Sequence, residues 1–564
     1  MPCRGRCWRC DSGRSHDSDW IFNVSPPLVL AAAVQRPAGG VLAKRPTCKR
    51  SLAAAWPILA AGPPGLAPNQ SRVGGTFLRV QRWAWRLALA AAICAGGSAV
   101  ALRASPPAPR PDVGVSYLPV SKLAAPTAAD RVLVLAPHCD DETIACGGTI
   151  AAAVRAGARV QVVIATNGDG FRVGTERMFR KTTVSPADYM RMAAVRQQES
   201  LSALAVLGLD ADAVVFLGYP DRGLTPMWTD YWSPDRPFRS PYTRRDHNPY
   251  PNALRPGGVY CGQSLLRDLE TVISTFQPTI VLCPHPADEH PDHRALYCYT
   301  VAALHELNLF DRVDLRLYLV HCAGWPSERA VHLRSPMLPP KALRDVGTQW
   351  AALPLTRGGA ESKYAAILCY RSQLLVMRRV LTSFARGTEL FGRLPALPLP
   401  LLPPARVVVD GRTSDWRGVR PIAVDPGLNR KAGALPAGGD IVAVYAGRSA
   451  NSLFVRVDLA HALRQVESCR LRLRELHAGR LGPPQTYEVT LARKSKGWRC
   501  AIAGRSLELL VPLSPGLPER ILLEAELREA GRPADASVWA LLEVPKEGGA
   551  PAHVASGRPE QPGP

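Results

Sequence analysis

The fold is decided by residues 131–142, which read RVLVLAPHCDDE. Arg131–Ala136 is aliphatic at every residue after Arg131, which is typical of a strand buried on both faces of a parallel sheet. The polar turn Pro137–Glu142 follows directly, and Thr143–Ala156 then offers small helix-compatible residues that end at Gly157, a helix stop signal. The stretch therefore predicts a strand, a turn that carries His and Asp, and a helix.

A second polar stretch follows another apolar run roughly 150 residues later. The predicted strand Thr279–Cys283 is apolar at every residue after Thr279, and residues 285–293 read HPADEHPDH. Ligands of open parallel sheets bind beyond the carboxyl ends of the strands. Since both polar stretches directly follow predicted strands, we expect them to meet at that edge of the sheet.

The side chains in the two stretches suit a catalytic metal. Catalytic zinc takes three protein ligands and leaves a position for water. His138 and Asp141 are three residues apart and can converge on one ion, and His293 supplies the third ligand. Asp140 is the candidate general base, and His290 is the candidate to stabilise an oxyanion or protonate a leaving amine. The alternative is that the acidic turn only favours the helix dipole.

Short apolar runs and helical patterns alternate through residues 128–393. This alternation favours an α/β domain that is Rossmann-like, with a mostly parallel sheet and helices on both faces. The other predicted strands are Arg159–Ala165, Ala213–Leu217 and Asp314–Val320, and the other predicted helices are Ala187–Leu207 and Ser264–Phe276.

Residues 405–545 have a different character and follow a Pro/Leu-rich linker at 394–404. Gly, Asp and Pro turns separate short β-rich runs, which predicts an all-β sandwich domain. These runs are Arg406–Val409, Ile441–Tyr445, Leu453–Asp458, Tyr487–Leu491 and Ser506–Val511.

The two polar stretches resemble the PIG-L/LmbE-like family of zinc-dependent N-deacetylases. The family's early Ala-His-Pro-Asp-Asp-Glu pattern is similar to residues 136–142, where Cys139 stands at the usual Pro, and its late His-Pro-Asp-His pattern matches residues 290–293. Further matches are Thr166–Gly170, Arg196-x-x-Glu199, Leu217–Asp221, Lys363 and Tyr370–Gln373.

The resemblance implies zinc-dependent removal of an acetyl group from an N-acetylated amino sugar. By matching positions it implies zinc ligands at His138, Asp141 and His293, with Asp140 as base and His290 as its electrostatic partner. We expect the departure at Cys139 to leave the zinc ligands intact.

Candidate substrate-binding residues come from the further matches and from a long insert. The matches contribute Asn167, Asp169, Arg196 and Asp221. The insert between Asp221 and Cys261 is rich in aromatic and Arg residues, and we interpret it as a substrate-binding lid in which Trp228 and Trp232 stack on sugar rings. The alternative is that the insert packs a small core of its own.

The predicted sandwich opens on Val409-Asp410-Gly411-x-x-x-Asp415-Trp416, which resembles DOMON-like and carbohydrate-binding modules attached to secreted enzymes. Asp410 and Asp415 are candidate ligands for Ca²⁺. The alternative is that both residues serve turns and packing.

The N-terminal region has the composition of an export signal. Residues 1–110 hold 15 basic and 3 acidic residues, so more than half of the net charge of +22 lies there. Arg79, Arg82 and Arg86 precede the apolar segment 87–102, a pattern that predicts a signal peptide or signal anchor. We therefore expect an exported protein, secreted or anchored to the membrane. The sequence contains no run of basic residues interleaved with aromatic residues, the pattern typical of a nucleic-acid-binding surface. We therefore do not expect nucleic acid as a partner.

The predicted order of segments is an N-terminal extension or misassigned start at 1–79, the signal at 80–103, a Pro-rich spacer at 104–127, the deacetylase domain at 128–393, the linker at 394–404, the sandwich at 405–545 and a disordered tail at 546–564. The predicted function is zinc-dependent N-deacetylation of a GlcNAc-type sugar in a glycan or glycoconjugate. The alternatives are a zinc amidohydrolase of a non-sugar N-acyl substrate and a non-catalytic carbohydrate-binding protein.

Overall fold

The computed structural model describes residues 120–343, 347–403, 406–425, 440–491 and 497–545. These residues belong to one compact unit. The predicted N-terminal extension, the signal segment 87–102 and the C-terminal tail lie outside the described residues. Within the described ranges, no helix is both long enough and apolar enough to cross a membrane.

One eight-stranded sheet carries the two polar stretches. Its strands are β1 Ser121–Lys122, β2 Arg131–Ala136, β3 Arg159–Thr166, β4 Val214–Tyr219, β5 Ile280–Pro284, β6 Asp314–Tyr318, β7 Gln349–Pro354 and β8 Thr388–Arg393. They lie in the order β1-β7-β8-β6-β5-β2-β3-β4. The pairs β1–β7, β2–β3, β2–β5, β3–β4 and β5–β6 are parallel, whereas β8 is antiparallel to β6 and β7. The prediction of a mostly parallel sheet is confirmed.

Eight helices in the described part of the chain accompany this sheet. They are α1 Asp141–Arg155, α2 Arg172–Phe179, α3 Pro186–Val206, α4 Leu224–Thr229, α5 Gly262–Phe276, α6 Pro291–Glu306, α7 Arg357–Ile367 and α8 Arg371–Thr382. Val132 and Val134 of β2 pack in one core with α1, α3, α7 and α8. Leu133 and Leu135 point to the other face, where they share a core with α4, α5 and α6. Alternate residues of one apolar strand thus serve two cores, as a strand buried on both faces requires.

Strands β2 and β5 are direct neighbours, because Val134 pairs in register with Leu282. The turn after β2 and the loop after β5 therefore emerge side by side at the carboxyl edge of the sheet. This adjacency brings the two polar stretches together.

The C-terminal region forms two further, largely antiparallel sheets. Its strands are β9 Leu397–Pro398, β10 Ala423–Val424, β11 Ile441–Arg448, β12 Ser452–Leu459, β13 Glu467–His477, β14 Arg480–Leu481, β15 Gln485–Val489, β16 Arg499–Ala503, β17 Ser506–Pro512, β18 Arg520–Glu529, β19 Arg532–Ala536 and β20 Ala540–Glu543. A five-stranded sheet has the order β10-β11-β12-β17-β16, and a seven-stranded sheet has the path β14-β13-β18-β20-β9, with β15 on β13 and β19 on β18. Val455 and Leu509 of the first sheet share a core with Leu473 and Leu523 of the second.

Two segments of this region differ from expectation. Arg406–Val409 is not a strand. The N–H of Val408 donates to the Asp415 carboxylate (2.9 Å), which draws the chain into a turn rather than a sheet. The segment 394–404 contains β9, which pairs with β20, and Leu399 and Leu402 are buried. It is therefore packed against the C-terminal sheets along this part of its length.

Candidate metal centre and active site

The predicted metal ligands lie together at the carboxyl edge of the sheet. His138 follows β2, Asp141 begins α1 and His293 lies in the first turn of α6. The Asp141 Oδ2 atom is 3.1 Å from His138 Nδ1 and 3.0 Å from His293 Nε2. All three side chains are buried. One carboxylate oxygen therefore lies between two imidazoles in a site largely closed to water.

The donor atoms fit a divalent cation such as Zn²⁺. Both ring nitrogens of His293 lack a hydrogen bond in the described structure, although oxygens of Asp141 and Asp288 lie 3.0 and 3.2 Å away. Burial by itself lowers the pKa of His293, but these two carboxylates raise it to about 9. The surroundings of His293 thus favour positive charge, and two imidazoles with one carboxylate are a ligand set that zinc accepts.

Other potential ligand atoms overlap with this set. Ring nitrogens of His138, His290 and His293 lie within 4.8 Å of one another, and His138 forms a similar group with Asp221 and Asp292. The Nε2 atom of His138 is 3.4 Å from Asp292 Oδ2 and 3.6 Å from Asp221 Oδ1. The His138 ring is therefore flanked by carboxylates on both nitrogens.

Asp140 adopts a strained backbone conformation at the centre of the turn, with a φ of 138°. Such a conformation persists in a non-glycine residue when its surroundings impose it. The N–H of Asp140 donates to Glu142 Oε2 (3.0 Å). The preceding carbonyl, that of Cys139, accepts from Arg196 Nη2 (2.7 Å) and Gln373 Nε2 (3.1 Å). The turn is thus held on both sides of Asp140.

The Asp140 carboxylate is buried next to a cation. Arg196 Nη2 lies 3.4 Å from Asp140 Oδ1. Burial raises the pKa of Asp140 to about 8, although the Arg196 guanidinium acts in the opposite direction. Asp140 therefore combines a fixed position with an environment that strengthens its affinity for a proton, as a general base needs.

His290 is the N-cap residue of α6, and its ring lies against the other imidazoles. Its Nδ1 accepts from the N–H of Asp292 (3.2 Å), so the neutral ring carries its proton on Nε2. Its ring centroid is 4.6 Å from that of His138 and 5.4 Å from that of His293. The structure thus brings His290 to the predicted ligands.

Asp288 and His321 also lie at the site, although the sequence-based prediction gave neither a role. Asp288 accepts hydrogen bonds from the N–H groups of Val320 and His321 (2.9 Å each), and its Oδ2 is 3.2 Å from His293 Nδ1. It therefore orients His293 from behind, a common arrangement for metal-binding histidines. The ring of His321 is 4.5 Å from that of His293. Asp288 lies inside the HPADEHPDH stretch, but no local pattern indicates His321.

The candidate substrate-binding residues have different surroundings. Asp221 faces His138, whereas Arg196 holds the Cys139 turn. Asp169 accepts from the N–H of Asp221 (2.9 Å) and the hydroxyl of Tyr250 (2.7 Å), so it supports the loop. Asn167 is fully buried, and its side-chain amide has no hydrogen-bond partner in the described ranges.

The expectation that Trp228 and Trp232 stack on sugar rings is not met. Trp228 is 1% exposed and packs against Tyr299, with ring centroids 4.9 Å apart. Trp232 is half-buried and covers the same ring of Tyr299. These aromatic faces are already occupied by protein, so this part of the insert follows the alternative interpretation, in which it packs a core.

Tyr242 of the same insert lies at the site. Tyr242 is half-buried and packs directly against Gly170. A Cβ atom placed on Gly170 would lie 2.7 Å from the Tyr242 ring and 3.0 Å from the Asp221 carboxylate. Tyr242 is therefore the better candidate for a sugar-binding aromatic residue.

Cys139 has a structural explanation. Its side chain is fully buried in the core that also contains Ala136 and Ile144. Burial raises the pKa of its thiol well above the usual value. The side chain thus serves as a small apolar residue, while the backbone carbonyl binds Arg196 and Gln373.

The candidate calcium ligands of the C-terminal region serve turns. Asp410 Oδ1 accepts from the N–H of Arg412 (2.8 Å), and Asp415 Oδ2 accepts from that of Val408 (2.9 Å). Buried Glu508 binds the N–H groups of Asp410 and Gly411. These contacts match the turn-and-packing alternative.

Residues 133–304 match the protein-family model described as PIG-L: GlcNAc-PI de-N-acetylase. The segment contains all five predicted metal and catalytic residues. A 1D-myo-inositol 2-acetamido-2-deoxy-alpha-D-glucopyranoside deacetylase of Mycobacterium sp. (strain KMS) is 33% identical over 179 residues, which cover 31% of this chain and 50% of that protein. Its counterpart in Mycobacterium leprae (strain Br4923) is 31% identical over 179 residues, with the same coverage, 31% and 50%. The chain thus spans about half the length of the curated relatives it matches.

Solved structures with low identity also align with this chain. A conserved protein of Thermus thermophilus is 23% identical with a TM-score of 0.29, and the alignment covers 49% of this chain and 100% of that one. N,N'-diacetylchitobiose deacetylase from Pyrococcus horikoshii is 21% identical with a TM-score of 0.29, and the alignment covers 47% of this chain and 83% of that one.

Proposed function

We propose that residues 128–393 form a zinc-dependent hydrolase that removes the N-acetyl group from an N-acetylated amino sugar of the GlcNAc type, in a glycan or glycoconjugate. The observation that carries the proposal is the buried group in which the Asp141 carboxylate lies 3.1 and 3.0 Å from His138 and His293, next to Asp140. The match of residues 133–304 to a de-N-acetylase model supports an amide of an amino sugar as the substrate.

His138, Asp141 and His293 would hold the zinc ion. When bound, the ion would polarise the amide carbonyl and lower the pKa of water. The protein orients the ligands through Asp288, which backs His293, and through Asp292, whose Oδ2 lies 3.4 Å from His138 Nε2. Carboxylates in such positions fix the orientation and increase the basicity of the imidazoles.

Asp140 is the residue that moves the proton. Its carboxylate takes a proton from the attacking water as the new C–O bond forms, and gives it to the sugar nitrogen as the C–N bond breaks. The products are acetate and a free amine. Arg196 Nη2 lies 3.4 Å from the carboxylate, and hydrogen bonds to the N–H of Asp140 and to the preceding carbonyl hold the backbone that carries it.

His290 stabilises charge on the carbonyl oxygen during this step. Its Nδ1 accepts the N–H of Asp292 (3.2 Å), which leaves an N–H on Nε2 to donate. A fixed donor of this kind is effective because it requires no reorganisation during the reaction. Tyr242, beside Gly170 and Asp221, offers an aromatic face to the sugar ring.

Acetate release and zinc content measured on the same purified chain test the proposal. N-acetylglucosamine, chitooligosaccharides and N-acetylglucosaminyl conjugates are compared with N-acyl amino acids. D140N should abolish acetate release while zinc stays bound, whereas H293A should lose both. Preferential turnover of N-acyl amino acids would identify a non-sugar amidohydrolase. Sugar binding without acetate release at full zinc loading would identify a binding protein.

We also propose that the enzyme is exported through the segment 87–102 and acts outside the cytoplasm, either secreted or held at the membrane. The three arginines before this apolar segment support the proposal. Expression of the full chain with a C-terminal reporter, followed by fractionation and protease protection, tests it. A reporter found only in the cytoplasmic fraction would contradict export.

A further inference from the structure

We infer that Arg474, which belongs to the seven-stranded C-terminal sheet, is a positioning residue for the catalytic edge of the α/β domain. The C-terminal sheets are then a fixed part of the catalytic unit rather than a tethered binding module. The kinetic part of this inference rests on the proposed function, whereas its structural part does not.

Arg474 reaches out of β13 into the insert that follows β4. Its side chain is 1% exposed. The Nη1 group donates to the carbonyl oxygen of Trp228 (3.3 Å). The guanidinium carbon lies 4.4 Å from the centroid of the Trp228 ring and 3.8 Å from that of the Trp232 ring. Cation–π attraction over two indoles is strong when the cation is desolvated.

The burial of Arg474 is energetically costly, because no ion pair in the described ranges involves it, and its Nε and Nη2 atoms have no hydrogen-bond partner there. Burial lowers the pKa of the guanidinium to about 9. A buried cation of this kind is strongly unfavourable unless its contacts compensate for the lost hydration. The contacts that compensate are the two indoles and the Trp228 carbonyl, so these contacts tie α4 to the C-terminal sheet.

Helix α4 in turn positions a side chain at the metal centre. The N–H groups of Arg222, two residues before α4, and of Leu224, its first residue, donate to the Asp292 carboxylate (2.6 and 3.1 Å). Thr225 Oγ1 donates to the carbonyl of Pro291 (2.7 Å). Asp292 Oδ2 is 3.4 Å from His138 Nε2. Movement of α4 would therefore displace Asp292 and, through it, the His138 ring.

The seven-stranded sheet also contacts α6, the helix that carries His293. Arg294 forms an ion pair with Glu524 near the start of α6, and His305 bonds to the carbonyl of His477 (2.7 Å) near its end. The Trp539 ring packs 6.2 Å from that of Trp228. The sheet thus holds both ends of α6, which carries Asp292 and His293, and it also holds α4, the helix next to the two N–H groups that bind the Asp292 carboxylate.

The experiment compares R474M with R474K and with the matched control R470M in the full chain. Met keeps most of the apolar volume of Arg474 but removes its charge and donors. Lys keeps the charge without the planar donor geometry. Arg470 lies on the same face of β13 and pairs with Glu488 (3.1 Å) of the neighbouring strand, so R470M removes an arginine from the same strand without touching α4.

Two measurements are made well below the Tm of each variant. Hydrogen exchange by mass spectrometry follows residues 222–229, which include the two amides that bind Asp292. We expect R474M to increase exchange in this segment about 10-fold and to lower kcat/KM by about 10-fold or more, since small displacements of catalytic groups have large kinetic effects. R474K should recover part of both effects, and R470M should match the wild type.

Unchanged exchange and unchanged kcat/KM in R474M, with only a lower Tm, would overturn the inference and leave Arg474 a packing residue. The absence of deacetylase activity in the wild type would instead contradict the proposed function, and the exchange measurement would still decide the positioning role.

Discussion

Glu142 accepts a hydrogen bond from the backbone N–H of Asp140 (3.0 Å), two residues before it in the chain. The contact closes a tight loop around a residue whose φ is 138°. Glu142 also accepts from the hydroxyl of Tyr370, which in turn contacts Thr143 Oγ1 (2.7 Å). Glu142 therefore fixes the backbone of Asp140, the residue that we propose as the general base.

Replacement of Glu142 by Ala should lower kcat by roughly 100-fold with zinc content unchanged, because the strained turn can then relax and displace the Asp140 carboxylate. Y370F is the matched control, since it removes one support of Glu142 and leaves the bond to Asp140. Its effect should be clearly smaller. Steady-state kinetics and metal analysis on the same samples provide the check, and equal losses in both variants would contradict this role of Glu142.

Replacement of Asp288 by Asn should weaken zinc binding by about 10-fold to 100-fold, because the amide can no longer supply a negative charge behind His293. Competition with a chelator measures the affinity. D212N, at an exposed acidic residue of the same domain, controls for loss of a negative charge. An affinity of D288N equal to that of D212N would show that His293 needs no such support.

Tyr242 is expected to contribute to sugar binding through its ring. Y242A should raise KM several-fold with a smaller change in kcat, whereas Y242F keeps the aromatic face and should keep the KM. Initial rates over a range of substrate concentrations separate the two parameters. If Y242F also raises KM, the hydroxyl and not the ring makes the contact.

The free energy of unfolding should depend on pH because the carboxyl groups of Glu270 and Glu306 lie close together. Burial, followed by the neighbouring Glu306 carboxyl, raises the pKa of Glu270 to about 8. The folded state then holds a proton that the unfolded chain releases near pH 4.3, so stability should fall as the pH rises from about 4.3 to beyond 8. E270Q should flatten this dependence, as Tm measured across the range will show. An identical slope in wild type and E270Q would contradict the assignment.

The parts of the fold that depend on local pattern could be predicted from the sequence. β2 spans Arg131–Ala136 as expected, because the five successive aliphatic residues after Arg131 leave few alternatives to a buried strand. The meeting of His138 with His293 was predictable for a related reason, since both follow strands whose carboxyl ends share an edge. Neither inference needs knowledge of distant contacts.

The features that were missed depend on partners far along the chain. Trp228 lies in the insert that follows β4, and this position suggested an exposed aromatic residue. Instead, Arg474 covers it from 246 residues further along the chain. Val408 resembles a strand residue, but the carboxylate of Asp415 takes its N–H. No local pattern of hydrophobic residues indicates which polar group will bind a given backbone atom.

Arg196 and Gln373 stabilise the turn between β2 and α1 by donating hydrogen bonds to the backbone carbonyl of residue 139. Every amino acid has that carbonyl, so the identity of the side chain is free to vary wherever a small apolar group fits the core. A sequence search that requires proline at this position would therefore pass over chains whose histidines and aspartates are all in place. For a site of this kind, the positions of the histidines and carboxylates are therefore a better search criterion than the identity of residue 139.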